Sequence, residues 1–247
     1  MSEIDIPQQT WLGVFAHPDD ETSASAGTMV KWIENGHKAY VITATGGELG
    51  SLGTNGLTIA RKDLPKVRIG ELRKNLEMYG VQPPITLGYR DQELDQVDTT
   101  LLTKQVLEVM CEVTPSIVVS FGPSGISQHP DHIAIHHATC KAYSKYIASS
   151  ATGNQPILLY PSIPRNMAKE YNLDLSEDEL RMDIVLNINA SIQSKIRGLR
   201  NYRSQQDAQD FATRLESQSN HVECFSVSPY VSTDWETHPS VKLLKFL

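Results

Sequence analysis

Residues 11–21 read WLGVFAHPDDE, so a strand-like apolar run ends in a histidine, a proline and three acidic residues. The next segment, 22–34, has a helical pattern, and we expect His17 and Asp20 to start that helix at positions i and i+3, on one face. Pro18 suits a first helical position, where its missing N–H group costs nothing. A histidine beside two carboxylates is costly unless these groups bind a cation or exchange protons. The stretch therefore predicts half of a catalytic zinc site, which typically has three protein ligands and one water.

A second turn of this kind reads HPDH at residues 129–132. The apolar run 116–121 precedes it and a helix-like stretch, 133–147, follows it. Two such turns, at the carboxyl ends of buried strands, would face one crevice in an open α/β sheet. Spacing alone leaves five candidate metal ligands: His17, Asp20, His129, His132 and His136. For His136 we predict a structural role, because it lies one turn deeper in its helix and the chain lacks the glutamate of zincin motifs.

Strand-like and helical segments alternate over the first two-thirds of the chain, with short connections. The predicted strands span 11–16, 38–45, 85–89 and 116–121, and the predicted helices between them span 22–34, 65–79 and 99–112. This alternation predicts an α/β fold with a Rossmann-like, mostly parallel sheet and helices on both faces.

The length of 247 residues suits a single domain, 1–247, with a core at about 10–150 and a C-terminal elaboration at about 151–247. In the elaboration we expect strands at 156–164, 183–188 and 222–227, a charged surface insertion at 169–181 and one long polar helix at 190–216.

Composition excludes several classes of function. A net charge of −7, without a basic cluster, argues against nucleic acid as a partner. No apolar run is long enough to span a bilayer, and residues 1–9 are acidic and polar rather than of signal-peptide type. Cys111, Cys140 and Cys224 lack metal-like spacing, so we expect reduced, buried thiols. These features predict a cytoplasmic protein without a membrane partner, and they leave a homo-oligomer open.

Other polar residues give weaker indications. The glycine-rich stretch 46–53 lacks a Walker lysine and follows the second strand, so we predict a mobile loop at the rim of the crevice, with Glu48 facing the ligand. Arg68, Asp91 and Gln205, taken from the sequence alone, are interpreted as surface charges or polar residues at helix ends.

On the HPDDE stretch at 17–21 together with HPDH at 129–132, the chain resembles the LmbE/PIG-L family of zinc-dependent N-deacetylases. The resemblance covers roughly residues 10–205 and includes TGGELG at 45–50, RIGEL at 68–72, LGYRD at 87–91 and a late helix, 195–205, that ends in Ser-Gln. The family has a Rossmann-like fold and removes acetyl groups from N-acetylglucosamine-type sugars. Its members include deacetylases of mycothiol and bacillithiol biosynthesis and a mycothiol-conjugate amidase.

The resemblance implies a role for each motif residue. It makes His17, Asp20 and His132 the ligands of one Zn2+ per chain, or of another divalent transition metal such as Fe2+. It makes Asp19 the general base, His129 the group that stabilises the oxyanion or protonates the amine, and Asp131 the partner that orients a histidine. Arg68 and Asp91 become sugar contacts. Tyr202 departs from the family pattern, which often has a histidine shortly before Ser-Gln.

The function implied is a zinc-dependent hydrolase that uses metal-activated water to remove an acetyl group from a small N-acetylated sugar or sugar conjugate. The alternatives are a metal-dependent amidase of a thiol–sugar conjugate and a non-catalytic relative that binds sugar or metal. Asp19 argues against the non-catalytic alternative, since a zinc holder has no need of a second aspartate beside the ligand. A phosphoesterase with two metal ions is disfavoured, because no third carboxylate motif lies at another strand end.

Overall fold

The computed structural model describes residues 7–149 and 155–247, which form an α/β fold around a single sheet. The seven strands of the described ranges lie in the order β3-β2-β1-β4-β5-β7-β6. The strands are β1 (Thr10–Phe15), β2 (Lys38–Thr45), β3 (Ile85–Tyr89), β4 (Ile117–Ser120), β5 (Ile157–Pro161), β6 (Ile184–Asn187) and β7 (Val222–Val227). Strands β1 to β5 are parallel, and β7 is antiparallel to both β5 and β6. The predicted α/β class, with its mostly parallel sheet, is confirmed.

The helices of the described ranges are α1 (Asp20–Glu34), α2 (Leu64–Tyr79), α3 (Thr99–Val113), α4 (Pro130–Ser149), α5 (Arg165–Glu170), α6 (Glu177–Leu180), α7 (Ile192–Asn201), α8 (Gln206–Glu216) and α9 (Pro239–Phe246). Helices α1, α2, α7 and α8 pack together, and α3 packs on α4, so that the sheet is covered on both faces. Strands β4 and β5 are buried at every residue, as central strands of a covered parallel sheet should be.

Two helix starts differ from the sequence-based expectation. Helix α1 begins at Asp20, with Asp19 before it in a left-handed conformation, so His17 and Pro18 precede the helix rather than open it. The prediction that His17 and Asp20 share one helical face is therefore wrong, although both side chains reach the same point. Helix α4 begins at Pro130, three residues before the predicted start, and so contains most of the second motif.

One expectation for the C-terminal part is also wrong. The long polar helix predicted at 190–216 is two helices, because the chain leaves helical geometry after Asn201 and resumes it at Gln206. The predicted surface insertion at 169–181 is exposed or half-buried at every residue except Glu179, whose side chain is fully buried.

The remaining composition-based expectations have mixed outcomes. Cys140 and Cys224 are buried free thiols, whereas Cys111 is exposed, contrary to expectation. Within the described ranges, every helix is either too short or too polar to cross a lipid bilayer. Residues 1–6 of the predicted polar terminus, and the boundary expected near residue 150, lie outside the described residues.

Candidate active site

The two histidine motifs lie at the point where the strand order reverses. Strands β1 and β4 are parallel neighbours, but the chain leaves β1 toward β2 on one side and reaches β4 on the other. Such a switch point opens a crevice at the carboxyl ends of the strands. A cavity of about 220 Å³ is present there, lined among others by His17, Asp19, Asp20, His129 and His132. The predicted meeting of the two motifs is confirmed.

The surroundings of His17 fix the protonation of its ring. Its Nε2 lies 3.0 Å from Asp91 Oδ1 and 3.1 Å from Asp131 Oδ2, so Nε2 carries the proton that these carboxylates accept. Burial alone would lower the pKa of His17, but the hydrogen bonds that its ring donates to Asp131 and Asp91, together with the nearby negative charges, raise it to about 10. The site therefore favours positive charge at this ring, and neutral His17 presents the lone pair of Nδ1.

His132 is oriented in the same manner by a backbone group. Its Nδ1 lies 2.9 Å from the carbonyl oxygen of Gly125, which can only accept, so Nδ1 is the donor. The ring stacks on Phe121, with centroids 3.9 Å apart. Neutral His132 thus presents the lone pair of Nε2, which lies 3.1 Å from Nδ1 of His17. Two imidazole lone pairs at that distance repel each other unless a proton or a cation lies between them.

The carboxylate of Asp20 completes this group of ligand atoms. One oxygen lies 3.4 Å from His132 Nε2, and the other lies 3.7 Å from His17 Nδ1. Burial acts to raise the pKa of Asp20, but His132 and His17 outweigh it and hold the pKa well below its usual range. Ligand atoms around a tetrahedral zinc ion are about 3.3 Å apart, given zinc–nitrogen bonds of ~2.0–2.1 Å. The three side chains therefore fit a zinc-class ion.

Proximity also permits other donor sets. Ring nitrogens of His17, His129 and His132 lie within 4.8 Å of one another, as do ligand atoms of His17, Asp91 and Asp131. In the second set, Nε2 of His17 already forms hydrogen bonds with the carboxylates of Asp91 and Asp131. These contacts therefore position the His17 ring. The first set has His129 in the place that Asp20 takes in the group described above. The group as a whole is able to hold a metal ion.

Asp19 differs from its neighbour Asp20 in conformation and in contacts. Its φ of 99° places a non-glycine residue in the left-handed region, where strain is found at functional sites. Its carboxylate pairs with Arg68 at 2.9 Å, and its N–H group donates to Glu21 Oε2 at 3.1 Å. Burial raises the pKa of Asp19 well above its usual range, although the Arg68 guanidinium opposes the shift. Asp19 is thus a lining carboxylate outside the zinc-like group.

His129 also lines the cavity, and one of its ring nitrogens already accepts a hydrogen bond. Its Nδ1 accepts the N–H of Asp131 at 3.2 Å, so the proton of the neutral ring is on Nε2. Burial, together with the nearby His17 and His132, lowers the pKa of His129. Neutral His129 is therefore a hydrogen-bond donor through Nε2.

Arg68, Asp91 and Gln205 do not lie at the surface, because all three are buried and line the cavity. Gln205 does lie at a helix end, as the residue that precedes α8. Besides Asp19, Arg68 bonds the carbonyl oxygens of Pro18 at 2.5 Å and Gly47 at 2.8 Å. Asp91 bonds His17 and accepts the N–H of Leu49 at 2.9 Å; these contacts lower the pKa of Asp91 to about 2 against the effect of burial.

The remaining predicted residues lie behind this lining. Glu48 accepts the N–H of Asp91 through Oε1 at 3.1 Å. Asp131 is fully buried and accepts the N–H groups of Gln92 at 2.7 Å and Leu94 at 3.0 Å in addition to its bond with His17. His136 bonds the carbonyl oxygen of Phe121 at 2.9 Å and takes no part in the cluster, which confirms its predicted structural role.

Sequence reasoning missed Glu21 and its partner. The buried Glu21 carboxylate accepts the N–H of Asp19, the Thr22 hydroxyl at 2.5 Å and the Tyr202 hydroxyl at 2.7 Å. Burial raises the pKa of Glu21 to about 7. The sequence shows that Tyr202 departs from the family pattern, but it does not show that the hydroxyl group of Tyr202 bonds Glu21. Tyr202 lies behind the cavity and supports the strained turn at Asp19.

The chain is similar to enzymes that act on N-acetylated sugars. A model of the family described as PIG-L, GlcNAc-PI de-N-acetylase, matches residues 12–143. A probable N-acetyl-alpha-D-glucosaminyl L-malate deacetylase 2 of Bacillus cereus is 30% identical over 201 residues, which are 80% of this chain and 84% of the relative. A 1D-myo-inositol 2-acetamido-2-deoxy-alpha-D-glucopyranoside deacetylase of Kineococcus radiotolerans is 31% identical over 73% of this chain, and the match spans 56% of that relative.

Solved structures share the fold at low sequence identity. The N,N'-diacetylchitobiose deacetylase of Pyrococcus horikoshii matches with a TM-score of 0.68 and 17% identity, over 96% of this chain and 89% of the other. GalB, the 4-carboxy-2-hydroxymuconate hydratase of Pseudomonas putida, matches with a TM-score of 0.69 and 16% identity, over 92% of this chain and 99% of the other. Since a deacetylase and a hydratase share this fold, the fold alone does not determine the reaction; the residues of the site do.

Proposed function

Because the chain belongs to the PIG-L family of GlcNAc-PI de-N-acetylases, we propose that it hydrolyses the acetamide of an N-acetylglucosamine-type sugar or sugar conjugate. His17, Asp20 and His132 would hold one zinc ion per chain, or another divalent transition metal such as Fe2+. The main support for the proposal is that ring nitrogens and carboxylate oxygens of these three side chains lie 3.1–3.7 Å apart. A second aspartate, Asp19, is buried beside them.

A zinc ion in such a site supplies a water molecule of lowered pKa and an electrophile for the amide carbonyl. Asp19 is the general base that takes the proton of the attacking water. Burial raises the pKa of Asp19, which makes its carboxylate a stronger proton acceptor. Arg68 keeps the Asp19 carboxylate in place through the 2.9 Å ion pair.

His129 acts on the opposite side of the scissile bond. Its Nε2–H group donates to the oxygen of the amide as negative charge develops there, which lowers the barrier most when the donor is already in position. The bond from the Asp131 N–H to Nδ1 holds the ring in that tautomer. The proton that Asp19 took from the water is then passed to the leaving amine as the C–N bond breaks, and the reaction yields acetate and a free amino sugar.

The sugar would be held at the rim of the cavity. Arg68 and Asp91 are the proposed sugar contacts, with Glu48 supporting Asp91 through its backbone N–H. Leu49 and Gly50 of the glycine-rich loop line the same cavity, which suits a small polar sugar rather than a macromolecule. The substrates in the names of the Bacillus and Kineococcus relatives are N-acetylglucosamine derivatives, and this supports the proposed class.

The test is to incubate the zinc-loaded protein with a panel of N-acetylglucosaminides that carry different aglycones, and to measure acetate and free amine together. Equal amounts of both products are expected from at least one member. Wild-type protein with a full zinc complement that releases neither product from any N-acetylglucosaminide would contradict the proposal. Cleavage of an amide in the aglycone, with the acetyl group retained, would favour the amidase alternative.

A further inference from the structure

We propose that Glu179, in the C-terminal elaboration, is a positioning residue for His132, acting through the backbone of the loop at residues 122–128. This inference rests on the proposed function, because it assigns His132 Nε2 to the metal. Glu179 is distant in sequence from both histidine motifs, and it touches neither the cavity nor the ligand group.

The carboxylate of Glu179 is enclosed by donors of that loop. Its side chain is fully buried. Oε2 accepts the N–H of Ser124 at 2.8 Å and the hydroxyl of Ser176 at 2.7 Å, while Oε1 accepts the N–H of Ile126 at 3.0 Å. Hydrogen bonds from backbone N–H groups to an ionised carboxylate are stronger than neutral ones. Glu179 therefore holds the loop by two backbone N–H groups, which lie two residues apart.

The backbone of the loop at residues 122–128 is in an unfavourable conformation at two residues that are not glycine. Ile126 has a φ of 62° and Gln128 a φ of 60°, both in the left-handed region. For a β-branched residue this conformation is an outlier, and it is strained unless the surroundings fix it. The N–H that Oε1 accepts belongs to Ile126 itself. At Gly122, an added Cβ would lie 2.4 Å from Cγ of Glu179, so the loop and the carboxylate fit each other closely.

A single peptide unit connects Glu179 to the site. The N–H of Ile126 and the carbonyl of Gly125 belong to the same planar peptide, whose two ends point in opposite directions. Glu179 bonds the N–H end at 3.0 Å, and His132 Nδ1 bonds the carbonyl end at 2.9 Å. Rotation of this peptide would remove the acceptor that fixes the tautomer and tilt of the His132 ring. Partners of this kind change metal affinity when they are lost.

The first experiment compares zinc affinity, by competition with a chromogenic chelator, in wild type and Glu179→Gln. The control is Glu177→Gln on the same short helix, where the side chain is exposed and pairs with Arg165. We expect Glu179→Gln to weaken zinc binding by roughly 10- to 100-fold and Glu177→Gln to leave it unchanged. Wild-type affinity in Glu179→Gln would overturn the inference. Failure of wild type itself to bind zinc would instead count against the proposed function.

The second experiment separates positioning from general stability. Glycine adopts positive φ readily, so Ile126→Gly in the Glu179→Gln background should restore zinc affinity at least ~10-fold although it removes a packed side chain. A merely structural role predicts no recovery, and unchanged affinity in the double variant would overturn the proposed route. If Glu179→Gln does not fold, Ser176→Ala removes only one donor to Oε2 and should weaken zinc binding in the same direction. Wild-type zinc affinity in Ser176→Ala would then overturn the inference.

Discussion

Among single residues, Asp19 and Asp20 say most about the proposed mechanism, because their side chains have different contacts. The two carboxylates are adjacent in sequence, yet one contacts Arg68 and the other faces His17 and His132. The left-handed backbone at Asp19 is what points them in different directions.

This geometry predicts different results for two matched variants. Asp19→Asn should keep its zinc and lose at least ~100-fold in kcat, the usual scale of general acid–base catalysis. Asp20→Asn should lose tight zinc binding, because a ligand needs the ionised carboxylate. Elemental analysis and steady-state kinetics on the same samples provide the check. Loss of zinc in Asp19→Asn and its retention in Asp20→Asn would mean that the roles are exchanged.

Arg68 permits a second prediction at this scale. The family resemblance predicts a sugar contact, whose loss would mainly raise KM. Because Arg68 also bonds the carboxylate of Asp19, we expect Arg68→Gln to lower kcat by about tenfold or more, in addition to any change in KM. Arg73→Gln, at an exposed position of the same helix, is the control. A raised KM with wild-type kcat would show that the ion pair does not support the base.

The local motifs allowed the metal-capable residues to be predicted, because two separate turns repeat a histidine followed three residues later by a second possible ligand, which helix capping alone does not explain. The burial of Arg68, Asp91 and Glu179 could not be predicted in this way. Each is satisfied by partners far along the chain, such as Asp19 for Arg68 and Ile126 for Glu179, and single-sequence patterns carry no information on such pairs. A charged residue without a visible partner is expected at the surface.

At the scale of elements, helix α7 approaches α1 and α2 closely through Gly198. An added Cβ there would lie 1.6 Å from the buried hydroxyl of Tyr79 and 3.2 Å from Cγ2 of Thr22. The amide of Asn75 also donates to the Gly198 carbonyl at 2.9 Å, which leaves little room for the helices to separate.

Two glycine-to-alanine changes should therefore have opposite effects on the free energy of unfolding. Gly70→Ala, on the exposed face of α2 with no atom near the new Cβ, should stabilise the protein by up to ~1 kcal/mol through helix propensity. Gly198→Ala should destabilise it by about 1–3 kcal/mol through overpacking, despite the same gain in propensity. Urea unfolding of both variants is the measurement. Equal stabilisation by both would show that the helices are not in close contact at Gly198.

Strands and helices of the first two-thirds were predictable, because strand-like runs and helical periods alternate there without interruption. The break between α7 and α8 was not predictable, since residues 190–216 contain no proline and their one glycine, Gly198, lies inside α7 rather than at the break. The break is stabilised by tertiary contacts: Ser204 donates its hydroxyl to Glu71 at 2.5 Å, and the Gln205 amide bonds the backbone of Ser51. This break brings Gln205 to the cavity.

At the scale of the whole molecule, parallel strand order creates the crevice and the C-terminal part completes it. Strands β6 and β7 extend the sheet, while Glu179 and Gln205 reach back to the loops of the site. The crevice follows from the reversal of strand order between β1 and β4; the alternating pattern predicted the parallel sheet but did not give that order. The contribution of the C-terminal part depends on how its segments pack, and the sequence did not reveal it.

The proposed function requires one metal ion at the meeting point of the two motifs for the hydrolysis of a sugar acetamide. This requirement can be measured by removing metal with a chelator and then titrating zinc back, while acetate release and bound zinc are determined in the same samples. We expect an inactive metal-free protein whose activity rises in proportion to bound zinc and levels off near one ion per chain. Full acetate release by metal-free protein, or activity that rises only beyond one ion per chain, would contradict it.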